Sequence, residues 1–295
     1  MRVAVTGSTG LIGSMIVAAL RGDGHEVFGV SRGAGPTGTL HWDPESGTID
    51  AASFEGLDAV INLAGEPIGA KRWTEEQKRR ILESREHGTA LLARTLASLD
   101  APPRRLLSGS AIGFYGDRND EVLDEDSPSG TGFLAEVVER WEAAAQPAID
   151  AGISTAFLRT GIVLSPDGGA LKQQLLPFKL GFGGRSGSGR QFQSWIHIDD
   201  EVGAIAWLLD HAIEGPVNLT APQPVRNAEF ASTLASVLRR PSTIIPQVGP
   251  RLLLGRELAD TLLLESQRVL PKRLTEGGYE FRFTDLRAAI EDLVR

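Results

Sequence analysis

Three glycines at three-residue spacing, Gly7, Gly10 and Gly13, separate the β-branched run RVAVT from the helical run LIGSMIVAALR. A strand that ends in glycine and passes at once into a helix has few ways to fold. Gly7 permits the tight turn, Gly10 lets backbone approach a ligand, and Gly13 lets the helix pack close to the strand. Thr9, Leu11 and Ile12 complete VTGSTGLIG. The unpaired N–H groups at the start of the helix suit a pyrophosphate, because the helix dipole is positive there. Glycine spacing alone is a weak signal, but a strand before it and a helix after it make a dinucleotide-binding fingerprint.

The rest of the chain repeats the alternation. Further strands are expected at 26–31, 39–42, 58–64, 104–108, 155–164 and 216–220, with helices at 75–98, 133–149, 200–213 and 227–238. Strands alternating with helices predict an α/β fold, a doubly wound parallel sheet covered on both faces. Residues 1–221 form that Rossmann domain in this reading. Residues 222–295, broken by prolines and largely helical, form a small C-terminal subdomain, and the Gly/Ser-rich stretch within 166–198 lies on the substrate side.

The second strand ends in Ser31 and Arg32. A protein that binds NAD commonly places Asp or Glu about 20 residues beyond the glycines, to hold the ribose hydroxyls. An acid there would repel a 2′-phosphate, whereas Ser31 can hydrogen-bond one and Arg32 can pair with it. The expected cofactor is therefore NADP(H).

Composition excludes several classes. A net charge of −8 disfavours a nucleic-acid surface, and the absence of Cys removes disulfides, thiolate metal sites and thiol nucleophiles. No apolar run is long enough to span a membrane, and the start of the chain lacks the shape of a signal peptide. A soluble cytoplasmic protein without a metal site is expected.

The segments TGSTGLIG, DAVINLAG and LLSGSAIGFYG together resemble the extended short-chain dehydrogenases/reductases. With RRILESR, FLAEVVERWEAAA, LRTGIVLS, GSGRQFQSWIHIDD and RVLPKRL, the resemblance narrows to an atypical branch. It is the nucleotide-sugar-epimerase-like, NADP-binding family that includes epimerase family protein 39U1. The resemblance spans essentially the whole chain. It implies that Leu63 and Ala64 line the adenosine and pyrophosphate side. Arg85, where extended members usually carry Asn, would reach the cofactor phosphates or lock its helix. Arg159 would lie near the nicotinamide crevice or form an ion pair at the edge of the core.

The family's catalytic set is Ser, Tyr and a Lys four residues after the Tyr; the positive Lys lowers the Tyr pKa. Ser110 matches the Ser. The chain has only two tyrosines, Tyr115 and Tyr279, followed four residues later by Asn119 and Phe283. In the helix that should carry the pair, Phe133 and Val137 stand where Tyr and Lys belong, and neither can move a proton.

Substitutes are few. Tyr115 either enters the crevice as a proton donor or packs beside it. Lys71 and Arg72 either bind an acidic substrate or sit on a solvated loop. Arg185, Arg190, Gln191 and Trp195 either face substrate or hold their own loop. His197 is expected on a strand with Asp199 capping the next helix, and Asp124, Glu125 and Asp126 form a solvated turn. The resulting expectation is an NADP(H)-dependent oxidoreductase or epimerase acting on a small polar molecule, a nucleotide-sugar among the candidates. The missing pair leaves open an inactive NADP(H) sensor. A homodimer is compatible with the chain.

Overall fold

The computed structural model describes residues 1–33 and 38–294. Its central sheet contains β1 (Arg2–Thr6), β2 (Glu26–Ser31), β3 (Leu40–Asp43), β4 (Thr48–Ile49), β5 (Ala59–Asn62), β6 (Arg105–Ala111), β7 (Ser154–Thr160) and β8 (Gly215–Leu219). The order across the sheet is β8-β7-β6-β5-β1-β2-β3-β4. Every neighbouring pair is parallel except β3 and β4, which form an antiparallel hairpin. Strand order reverses at β1, between β5 and β2, and a doubly wound sheet opens its ligand crevice at that point.

The strands read as continuous apolar runs because both faces are covered. Val3 and Val5 of β1 enter one core with Ile61, Leu107 and Leu158; Ala4 enters the other with Val60 and Leu106. The first core is closed by α1 (Leu11–Gly22), through Ile16 and Leu20, and by a later helix, Ile198–Asp210, through Val202, Ile205 and Leu208. The second is closed by α2 (Glu75–Ala97), through Leu92 and Leu96. The helix expected over 133–149 breaks in two: α3 (Phe133–Ala143) ends, and a short helix restarts at Gln146 with Pro147 in its first turn. Proline is favoured in the first turn, where its missing N–H costs no helical hydrogen bond. The strand expected over 155–164 also divides, at Gly161, where an added Cβ would lie 2.6 Å from the Ser194 carbonyl oxygen.

The C-terminal chain is mainly helical, with helices at Asn227–Val237, Val248–Leu254, Arg256–Leu264, Lys272–Glu276 and Leu286–Val294. It returns repeatedly to the sheet. Arg268 and Val269 pair with Val122 and Leu123. Asp200 accepts from the backbone N–H groups of Arg282 (2.7 Å) and Phe283 (2.9 Å). No helix among the described residues is long and apolar enough to cross a membrane.

Beside Asp200, in the helix Ile198–Asp210 (α4), Glu201 is fully buried. One of its oxygens accepts from the Thr160 hydroxyl at 2.8 Å, and Oε2 has no partner among the described residues. Burial disfavours the charge and pushes this carboxyl up to about 8. The folded state then holds a proton that the unfolded chain releases above about pH 4.5, so stability falls as pH rises from about 4.5 to about 8. Glu201→Gln is expected to flatten that decline and to raise the melting temperature at alkaline pH. Thermal melts of both proteins across this window check it; parallel curves would contradict it.

Candidate functional site

The turn between β1 and α1 is built by close backbone approach. Gly7 has φ +65°, and a Cβ there would stand 2.9 Å from the Leu63 carbonyl carbon and oxygen. A Cβ on Gly13 would stand 2.1 Å from the Gly7 carbonyl oxygen. Only glycine fits either place. The Gly10 N–H closes the turn onto the Gly7 carbonyl at 2.9 Å. Gly10 is also the N-cap of α1, with no capping side chain and no acid in the first turn, so this helix end stays open to an anion.

A buried hydrogen-bond chain locks the turn to its surroundings. The Thr6 hydroxyl accepts from the N–H groups of Leu63 (3.0 Å) and Ala64 (3.1 Å) and donates to Asn62 Oδ1 at 2.7 Å. The Asn62 amide donates to the Thr89 hydroxyl on α2 (2.9 Å), which also accepts from the Trp141 indole on α3 (3.0 Å). Trp141 in turn fills the place a side chain on Gly109 would take, 2.8 Å from an added Cβ.

Two cavities open from this frame. The larger, about 1090 Å³, is lined by Gly7, Thr9, Gly10, Ser31, Arg32, Leu63 and Ala64 among others. Leu11, Ile12 and Gly13, in the first turn of α1, are not among the residues that line it. Ser31 accepts from the Gly33 N–H at 3.3 Å. Arg32 is mostly exposed and pairs with Glu45 at 3.2 Å. Arg85 lies beside both cavities: its guanidinium carbon would be 3.1 Å from a Cβ on Gly65, in the wall of the larger, and its side chain lines the smaller. Its Nη1 donates to the carbonyls of Glu66 (2.9 Å) and Ile81 (3.1 Å), and its Nε has no partner among the described residues. Burial lowers Arg85 to about 10, which leaves it charged at neutral pH. Of the two sequence expectations for Arg85, helix locking is visible.

The smaller cavity, about 190 Å³, lies between α3, the end of β6 and the C-terminal chain. Leu134, Val137 and Val138 face it from α3. Phe133 does not: its ring packs edge-on against Trp73 at 4.9 Å, under Lys78. The position taken from the sequence for the missing Tyr therefore points away from the crevice, and the neighbouring Leu134 takes its place. All these side chains are apolar, so the wall that usually carries the proton-transfer pair carries none.

Both hydroxyls expected to be catalytic have partners within the protein. Ser110 does not line the crevice. Its hydroxyl donates to Glu142 at 2.6 Å, which commits the proton that would polarise a substrate oxygen. Glu142 is held from the other side by Arg159, whose Nε (2.8 Å) and Nη2 (2.9 Å) grip both carboxylate oxygens. Tyr115 is fully buried and equally committed. Its hydroxyl donates to Asn218 (2.8 Å) and accepts from Arg159 (3.1 Å). Burial pushes the Tyr115 hydroxyl above its ordinary range, against the pull of Arg159. Tyr115 therefore braces β7 against β8 instead of entering the crevice. Arg159 is a core ion pair, the second of its two sequence expectations, and it also lies over the Phe114 ring at 3.5 Å.

Other expectations resolve similarly. Arg185 donates to the Gly187 carbonyl and Gln191 to the carbonyls of Ser186 and Leu263, while Trp195 is fully buried; they hold their loop. The crevice takes Phe192, Gln193 and Ser194 from this region instead. Arg72 donates to the carbonyls of Leu252 and Leu253, and Lys71 lies 3.8 Å from Glu66. The cap of α4 is the His197 ring, which accepts from the Asp199 N–H at 3.0 Å; Asp199 itself pairs with Arg282. The acidic turn is not wholly solvated, because Glu125 is buried and accepts from the N–H groups of Asn218 and Arg273. No local motif singles out Thr6, Asn62, Thr89 or Glu142. Glu142 does recur two turns beyond Leu134 and Ala135 on the α3 stripe, which was the available signal.

The sequence profile of the NAD-dependent epimerase/dehydratase family matches residues 3–220. The chain belongs to the NAD-dependent epimerase/dehydratase family. A second profile, a domain of unknown function (DUF1731), matches residues 245–293. Within the epimerase family the chain is 42% identical over 291 residues to the epimerase family protein Mb2239 of Mycobacterium bovis, covering 98% of this chain and 96% of that one. It is 39% identical over 303 residues to human epimerase family protein SDR39U1, covering all of both chains. The crystal structure of human SDR39U1 (isoform 2) with NADPH superimposes with a TM-score of 0.92 at 38% identity, over 99% of each chain. A nucleoside-diphosphate sugar epimerase from Corynebacterium glutamicum superimposes with a TM-score of 0.82 at 38% identity, over all of this chain and 58% of that one. The doubly wound sheet and helical C-terminal region are those of this family.

The Glu142–Arg159 pair yields a direct test. Its side chains are 13% and 4% exposed, so removing one partner strands a buried charge, at a cost of about 3–5 kcal/mol. Arg159→Met should lose that much in urea unfolding, and the double variant Arg159→Met/Glu142→Met should recover most of it. A double-variant loss equal to the sum of the losses in Arg159→Met and Glu142→Met would show that the pair is not coupled.

Proposed function

We propose that this chain binds NADP(H) across the two cavities and works on a carbonyl or hydroxyl compound as an oxidoreductase or epimerase. The observation that carries the reading is the glycine turn. Backbone approach at Gly7 and Gly13 excludes side chains, and the uncapped end of α1 offers its N–H groups to a diphosphate. Arg85, whose guanidinium lies beside Gly65 in the wall of the larger cavity, would add a cation beside the same diphosphate. The human relative crystallised with NADPH supports the choice of cofactor.

Specificity for the phosphorylated dinucleotide rests on Ser31 and Arg32. The Arg32–Glu45 pair is exposed on both sides, and such pairs are weak and screened by salt. A 2′-phosphate carries more charge than one carboxylate and accepts more hydrogen bonds, so Arg32 would exchange Glu45 for it. When bound, the nicotinamide supplies hydride chemistry. The chain's own task is to hold it against Leu134, Val137 and Val138 and to exclude water there. The substrate is read as a small polar molecule, and the name of the Corynebacterium relative makes a nucleotide-sugar one candidate.

The apolar α3 wall favours a second reading, a protein that binds NADP(H) without turnover. Single-turnover oxidation of bound NADPH by a panel of aldehydes, ketones and nucleotide-sugars separates the two.

Binding measurements test the cofactor reading. A charge-assisted hydrogen bond contributes about 1.5–3 kcal/mol, so Arg32→Asp should weaken NADPH by roughly 10–100-fold and leave NADH nearly unchanged. Glu45→Gln should tighten NADPH severalfold by releasing Arg32. Equal effects on both dinucleotides, by calorimetry, would remove the specificity argument.

A further inference from the structure

The smaller crevice lacks a proton-transfer group on α3, but it is not without one. Of the described side chains that line it, two ionise: Arg85 and Glu265. A guanidinium does not give up its proton near neutral pH. Glu265 lines the crevice from the end of the helix Arg256–Leu264, within the segment matched by the domain of unknown function.

Its flanking residues are fastened on both sides. The Leu263 carbonyl accepts from the Gln191 amide at 2.6 Å. The Ser266 N–H donates to Asp117 (3.0 Å), its carbonyl accepts from the Arg118 N–H (3.0 Å), and its hydroxyl accepts from the Phe192 N–H (2.9 Å). The Gln267 amide donates to the Gly116 carbonyl at 3.2 Å. Glu265 is therefore fixed in the wall, and placement of this kind is what a proton donor needs.

We infer that Glu265 is the acid/base residue of this protein, supplied by the C-terminal segment in place of the Tyr that α3 lacks. The inference rests on the cofactor reading above. In the reducing direction a protonated Glu265 would give its proton to the carbonyl oxygen of the substrate as the carbonyl carbon takes a hydride, which bound NADPH would supply. The π electrons end as the new O–H bond, the products are an alcohol and NADP⁺, and the carboxylate regains a proton from water. Burial, first, and the negative charge of Asp117 raise Glu265 above the ordinary carboxylate range, against a hydrogen bond from Thr261; Arg85 is the charged group that lines the crevice from α2.

The test is chemical labelling of the full chain with dicyclohexylcarbodiimide, which modifies protonated carboxyls in apolar surroundings, followed by peptide mapping. NADPH binding is followed in parallel by nicotinamide fluorescence. Glu265 should be labelled in the free protein, and saturating NADPH should abolish the label. At saturating NADPH, Glu265→Gln should oxidise the cofactor with aldehyde and ketone probes roughly 10²–10⁴-fold more slowly than wild type, and Glu265→Asp should restore part of the rate. NADPH binding with no label at Glu265, or with a label that NADPH does not reduce, overturns the role and leaves the cofactor reading standing. Unchanged NADPH oxidation in Glu265→Gln overturns it equally. Absence of NADPH binding to the wild-type protein overturns the cofactor reading itself, and the role of Glu265 with it.

Discussion

The contact on which the rest of the site depends is the approach of the Gly7 turn to the backbone at Leu63 and Ala64. No side chain fits between them. The Thr6 hydroxyl fastens the two segments and passes the constraint to Asn62, Thr89 and Trp141. Four elements, β1, β5, α2 and α3, are thus tied by one buried hydrogen-bond chain, and such chains are expensive to leave half-made. Both cavities open from this frame, so the diphosphate end and the reactive end of a ligand are placed relative to one another before anything binds.

The second organising feature is the use of carboxylates as brackets for the C-terminal chain. Glu125 accepts from the Arg273 N–H, Asp200 from those of Arg282 and Phe283, and Asp117 from that of Ser266. Each joins a loop or helix end of the sheet domain to backbone that has no helical partner. These bonds turn the C-terminal region into a wall of the crevice. The Glu142–Arg159 pair does the same work inside the sheet domain, tying α3 to β7 and committing Ser110 and Tyr115 to structure.

How far the sequence reached follows from the range of the forces involved. The parallel sheet was readable because both-sided burial writes itself as continuous apolar strands. The glycine turn was readable because its constraint is local. Breaks at Pro147 and Gly161 were missed as boundaries, although the residues responsible are visible. The resemblance to the extended family found the absence of a Tyr–Lys pair, and it suggested Ser110 and Tyr115 from their positions alone. Their actual partners, Glu142, Arg159 and Asn218, come from other strands and helices, and no local pattern records such pairings. Glu265 is more remote still. It lies 128 residues beyond Val137, counted along the chain, and reaches the crevice only because Gln191, Asp117 and Phe192 hold its neighbours.

The central claim is that the glycine turn and the apolar crevice form one continuous bed for NADP(H), closed by the C-terminal chain. Amide hydrogen exchange on titration with NADPH tests it most directly. The account predicts joint, saturable protection at residues 10–13, 63–64 and 261–267. Saturable NADPH binding that protects none of these, or that protects the glycine turn while leaving 261–267 unchanged, would contradict it.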